Sequence, residues 1–159
     1  MIYVTLGTQD KTFERLLEAV ERAIDAGAIR EEVIVQAGFT KYESSKMRVV
    51  DYLSQEEFNQ VIKDASYVIT HGGAGTIMTC LKMNKKILAA ARLASYHEHV
   101  NDHQTQLLSS FEDMGYLIYM KELDDIAPYI EQIQTFEPKQ YQSNTANMIS
   151  LIEQFIDNL

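Results

Sequence analysis

One cysteine, Cys80, and two prolines are all that 159 residues contain of those types, and 14 Lys and Arg stand against 23 Asp and Glu. Each scarcity excludes something. A lone cysteine cannot form an internal disulfide, and one set in an apolar helical pattern reads as a small buried residue of a reducing compartment. A net charge of −9 has the wrong sign for nucleic acid, whose binding depends on clustered Lys and Arg, so any anionic ligand has to be held by local features. No apolar run reaches the roughly eighteen residues of a membrane span, and the start Met1-Ile2-Tyr3-Val4 lacks the basic region of a secretory signal. The expectation is a cytoplasmic chain. With 46% hydrophobic residues, this length supports one good core and hardly two, so a single domain over 1–159 is expected. No repeat or linker interrupts it, and the charged stretch 41–46 has ordinary loop length.

Apolar periodicity alternates between two kinds of element. Residues 2–6 form a short apolar run ending at Gly7-Thr8, after which Phe13, Leu16, Leu17, Val20 and Ile24 repeat at helical spacing until Gly27. Strands are expected over 33–36 and 48–52, and Ser54-Gln55-Glu56-Glu57 is a capping box opening a helix whose Phe58, Val61, Ile62 and Ala65 face inward. A strand over 67–70, a helix containing Ile77, Cys80 and Leu81, and a strand over 87–91 follow. Val100, Leu107, Leu108 and Phe111 then predict a helix closed by Gly115, and residues 117–120 a last strand. Two more helices complete the pattern, one with Pro128 in its first turn and one lined by Met148, Leu151, Ile152, Phe155 and Ile156. Such alternation predicts an α/β fold, a Rossmann-like parallel sheet flanked by helices. The carboxyl ends of its strands would gather Gly7-Thr8, Gly38, Leu53-Ser54, residues 71–76 and the segment after Arg92 on one rim.

The most informative segment is Tyr67-Val68-Ile69-Thr70-His71-Gly72-Gly73-Ala74-Gly75-Thr76, an apolar strand running through glycines into a helix. Gly72, Gly73 and Gly75 offer backbone angles that residues with a Cβ avoid. Free N–H groups of the helix start at Ala74 and Thr76 would then face one anion, aided by the helix dipole. The plainer reading is a tight strand-to-helix turn, with His71 capping the strand end. The segment lacks the Lys-Ser/Thr ending of a P-loop and the G-x-G-x-x-G spacing of dinucleotide folds.

A second constellation, Tyr96-His97-Glu98-His99-Val100-Asn101-Asp102-His103-Gln104, follows the strand over 87–91. Its carboxylates and amides suit vicinal sugar hydroxyls. A metal site through His97, His99 and His103 is the competing reading, although the spacing does not match H-E-x-x-H. A helix N-terminus capped by Asn101 or Asp102 is the plainer one.

Together, Val4-Thr5-Leu6-Gly7-Thr8, Thr70-His71-Gly72-Gly73-Ala74-Gly75-Thr76 and Glu98-His99-Val100-Asn101-Asp102-His103-Gln104 resemble the donor-binding half of GT-B glycosyltransferases, of the family 28 carboxyl-terminal type. The nearest resemblance is to the small subunit of two-part bacterial transferases of capsular and exopolysaccharide assembly. A more distant one is to the cytosolic subunit of the eukaryotic two-part N-acetylglucosaminyltransferase and to the carboxyl-terminal half of the lipid II-forming enzyme. The resemblance covers nearly the whole chain. It implies a UDP-sugar donor with its diphosphate on the glycine turn, uracil near Gly38 and Tyr52-Leu53, and sugar hydroxyls near Asn101, Asp102 and Gln104, with Glu98 in the same loop. Where such proteins carry a ribose-binding glutamate in the helix after the glycine turn, this chain has Thr79.

Transfer requires a stabilised leaving diphosphate, a deprotonated acceptor hydroxyl and their alignment. No Asp-x-Asp motif occurs, so helix-start amides, with Arg92 or His71, are expected to replace a cation, and neither metal nor other cofactor is required. The resemblance implies half an enzyme. Its other half is expected on a membrane-anchored, acceptor-binding subunit that brings the lipid-linked saccharide acceptor and the catalytic base, placing this chain at the inner face of the membrane. The alternative is a non-catalytic nucleotide-sugar-binding scaffold that stabilises such a partner. A UDP-sugar 2-epimerase shares the fold but carries both halves in one chain.

Overall fold

The computed structural model describes residues 1–7, 11–96 and 103–141, apart from the side chains of Ala94 and His103. Its elements alternate as the periodicity predicts: β1 (Ile2–Thr5), α1 (Glu14–Asp25), β2 (Val33–Gln36), β3 (Arg48–Val50), α2 (Gln55–Asp64), β4 (Val68–His71), α3 (Ala74–Lys82), β5 (Ile87–Ala90), a 3-10 turn (Ala94–Tyr96), α4 (His103–Asp113), β6 (Ile118–Tyr119) and α5 (Ala127–Thr135). The strands form one sheet in the order β3-β2-β1-β4-β5-β6, every neighbouring pair parallel. The outer strands β3 and β6 are shorter than the apolar runs that contain them, because each pairs on one side only.

Side chains alternate between two cores because strand residues point to opposite faces in turn. Ile2, Val4, Ile69, Leu88 and Ala90 join the core beneath α1 and α5, whereas Tyr3, Val68, Ile87 and Ala89 join the core beneath α2, α3 and α4. Cys80 lies in the second core, where burial pushes its thiol pKa up to about 12, so it is an inert packing residue.

Helix boundaries follow local chemistry. The Ser54 hydroxyl accepts from Glu57 N–H and the Glu57 carboxylate accepts from Ser54 N–H, both at 3.2 Å, which completes the expected capping box of α2. Gly27 and Gly115 close α1 and α4 with φ of +78° and +80°, a left-handed conformation that costs glycine least. Pro128 sits in the first turn of α5, where no helical N–H is lost. Two adjacent lysines ahead of β5 cap helices on opposite faces: Lys85 Nζ donates to Ala65 C=O at 2.8 Å behind α2, and Lys86 Nζ donates to Ile133 and Gln134 C=O at 3.1 and 3.0 Å at the end of α5. The expected helix lined by Met148, Leu151, Ile152, Phe155 and Ile156 lies outside the described residues.

Candidate functional site

Strand order reverses between β1 and β4: α1 returns across one face of the sheet and α3 across the other. Their carboxyl ends therefore part and leave a crevice, the place where open parallel sheets bind ligands. A cavity of about 290 Å³ occupies it. Of the residues expected at the site, Gly7, Leu53, Gly75 and Thr76 line this cavity, joined by Gln36, Gln55, Phe58 and Thr79.

The glycine turn works differently from the expectation. Gly72, Gly73 and Gly75 all have negative φ, and Gly73, the N-cap of α3, sits at φ −82°, which any residue adopts. Two of the three are glycine because something lies too close for a side chain. A Cβ on Gly73 would stand 2.3 Å from His71 Nε2, and one on Gly72 would stand 3.0 Å from Gln104 Cβ. Gly7, two residues beyond β1, presses on the same imidazole, where a Cβ would meet His71 Cε1 at 2.7 Å. At Gly75 nothing lies within 4 Å, so that position opens onto the cavity.

No side chain caps α3, and the first N–H to close within it is that of Ile77, onto Gly73 C=O at 3.2 Å. Among the described residues the amides of Ala74, Gly75 and Thr76 are therefore left for a ligand or water. They carry the positive end of the helix dipole. The expected helix start is therefore uncapped among the described residues.

His71 and Arg92 are both buried, and their described bonds run to the protein itself. Burial, with the Arg92 charge adding to it, lowers the His71 pKa from 6.5 to about 3, so the ring is neutral at physiological pH. The Thr70 hydroxyl donates to Thr5 C=O at 3.1 Å and lies 3.3 Å from His71 Nδ1, which assigns the ring proton to Nδ1 and leaves Nε2 an acceptor. Arg92 is fully buried and donates inward, from Nη2 to Leu6 C=O at 2.9 Å and Lys11 C=O at 3.2 Å and from Nε to Thr12 C=O at 3.2 Å. It ties the end of β5 to the loop after β1. Gln104 is buried as well, its Oε1 accepting from Arg92 N–H at 3.1 Å.

Gln36 organises the opposite wall. Its Oε1 accepts from Leu53 N–H at 3.0 Å and from Tyr3 O–H at 3.4 Å, and its Nε2 lies 3.5 Å from Gly7 C=O. One amide thereby links the ends of β1 and β2 to the loop before α2, and burial lifts the Tyr3 pKa to about 12. Gly38, at φ +58°, packs against Gly7 C=O, where a Cβ would stand at 2.7 Å. Tyr52 is exposed beside it. Sequence reasoning missed Gln36, although a polar residue closing an apolar parallel strand was a usable signal. Thr8, Glu98, Asn101 and Asp102, with the metal reading at His97 and His99, lie outside the described residues. Among the described residues no trio of His, Cys, Asp and Glu is grouped to hold a metal ion, and no helix is long and apolar enough to cross a membrane.

Curated proteins are similar to part of this chain in sequence. The chain is 25% identical over 89 residues to the UDP-N-acetylglucosamine transferase subunit ALG13 of Candida albicans, covering 55% of this chain and 29% of that protein. Against the subunit of the same name in Candida glabrata it is 25% identical over 103 residues, covering 64% and 48%. The chain thus spans less than half the length of these relatives. Among solved structures, the NMR structure of ALG13 matches with a TM-score of 0.60 at 18% identity, over 95% of this chain and 93% of that one. The glycosyltransferase SnogD of Streptomyces nogalater matches at 0.50 and 19%, over 94% of this chain and 42% of that one. At these identities the structural matches show a shared fold. The family model of the glycosyltransferase family 28 C-terminal domain extends over residues 1–159, and the chain belongs to that family.

Proposed function

We propose that this chain is the donor-binding subunit of a two-component inverting glycosyltransferase, taking a sugar from a UDP-sugar to a lipid-linked acceptor in polysaccharide biosynthesis, as in bacterial capsule or exopolysaccharide assembly. The observation that carries the reading is the uncapped start of α3, opening at the switch point onto a cavity of about 290 Å³. In this reading the diphosphate sits on the amides of Ala74, Gly75 and Thr76, and the nucleoside extends toward Gln36, Leu53 and Phe58.

An acceptor oxygen attacks the anomeric carbon as the bond from that carbon to the diphosphate oxygen breaks, so negative charge grows on the leaving group. Fixed amides and a helix dipole bind that charge more tightly in the transition state than in the ground state, which is the condition for acceleration. They perform the service a divalent cation gives elsewhere, so the reaction proceeds without metal. Within the described residues the buried His71, with a pKa of about 3, is a poor base at neutral pH. The base that deprotonates the acceptor belongs to a membrane-anchored partner, which also holds this subunit at the inner face of the membrane.

The test is reconstitution with the membrane-anchored neighbour and a lipid-linked acceptor. UDP-N-acetylglucosamine is the first donor to try, because the curated relatives are named for it. The free chain is expected to bind UDP weakly and transfer nothing, and the pair to turn over in excess EDTA. Full transfer by the isolated chain would overturn the division of labour. A pair whose activity is untouched by cavity substitutions would make this subunit a scaffold.

A further inference from the structure

Resting on the proposed nucleotide-sugar reading, we infer that the nucleoside end of this site distinguishes ribose from 2′-deoxyribose only weakly, and that Thr79 sets this. Thr79 stands four residues after Gly75, one turn along the same face of α3, and both line the cavity. A diphosphate on the helix start therefore places its pentose beside Thr79.

The chemistry offered to a pentose hydroxyl there is slight. Thr79 Oγ1 donates to Gly75 C=O at 3.0 Å, so its proton is used within the helix and only its lone pairs face outward. Among the described residues no carboxylate lines the cavity. Gln36 Oε1 already takes Leu53 N–H and Tyr3 O–H, and the exposed Gln55 gives its Nε2 to Asn59 Oδ1 at 3.0 Å. A site rejects an analogue lacking a hydroxyl strongly when that loss strands a buried polar group. Among the described residues it strands none, because half-buried Thr79 keeps its bond to Gly75 and stays within reach of water.

The experiment is calorimetric titration of the full chain with UDP and with 2′-deoxyuridine diphosphate, in wild type, Thr79→Val and Thr79→Glu. The two wild-type Kd values are expected within about tenfold of each other, the span of one neutral hydrogen bond, and Thr79→Val brings them together. Thr79→Glu supplies an acceptor-only carboxylate and is expected to widen the ratio beyond tenfold in favour of UDP. A wild-type preference for UDP above about a hundredfold overturns the inference and leaves the proposed function standing, because UDP still binds. A wild-type chain that binds neither nucleotide overturns the proposed function, and the inference with it.

Discussion

At the scale of single residues, neighbouring glycines of one turn serve opposite ends. Gly73 is required by the imidazole at its back, where a Cβ would lie 2.3 Å from His71 Nε2, whereas Gly75 has open space before it. Gly73→Ala is therefore expected to cost about 1–3 kcal/mol by overpacking. Gly75→Ala places a methyl where diphosphate would sit, while adding about 0.5–1 kcal/mol of helix propensity. Thermal melts and UDP titration of the two variants check this: the first loses stability, the second loses binding with an equal or higher Tm. His71 gives a pH signature of its own. Its folded pKa of about 3 lies below the unfolded 6.5, so the unfolded chain binds the proton more readily and stability falls as pH drops from about 6.5 toward 3. The slope is bounded by roughly 1.4 kcal/mol per pH unit for one proton. Denaturant unfolding at stepped pH is expected to show it in the wild type and a shallower dependence in His71→Asn. None of this was legible in the sequence, which shows a histidine between a strand and glycines but not what presses on it.

Elements were more legible, because each is decided by neighbours along the chain. The box Ser54 to Glu57, Gly27, Gly115 and Pro128 mark helix ends by mechanisms that operate within one turn, and all four sit where those mechanisms place them. Ser54→Ala is expected to cost about 1 kcal/mol in equilibrium unfolding. The joints between elements were not legible. Arg92 read as a candidate phosphate ligand because it follows a strand, yet its guanidinium is buried among Leu6, Lys11 and Thr12 carbonyls eighty or more residues away in sequence. Arg92→Lys keeps the charge but not the fork geometry, so it strands buried carbonyls. It is expected to cost about 3 kcal/mol or more, read by chemical denaturation, and to weaken UDP binding as the loop after β1 is displaced.

For the whole molecule, the net charge of −9 and the crevice at the β1–β4 reversal bear on the proposed site together: an acidic chain would have to hold a diphosphate on the amides that open there. Removing metal tests that arrangement as a unit, since a site built on amides keeps its UDP affinity in EDTA and one built on a cation loses it. The sequence by itself determined the alternation of strand and helix, the rim on which the loops gather and the helix that starts at the glycine turn, because periodicity, capping and glycine turns act over a few residues. Only the tertiary structure decided that Gln36 and Thr79 wall the cavity while Arg92 and Gln104 turn inward. Those outcomes depend on which strand ends lie side by side and how closely they pack, and residues far apart in the chain settle that together.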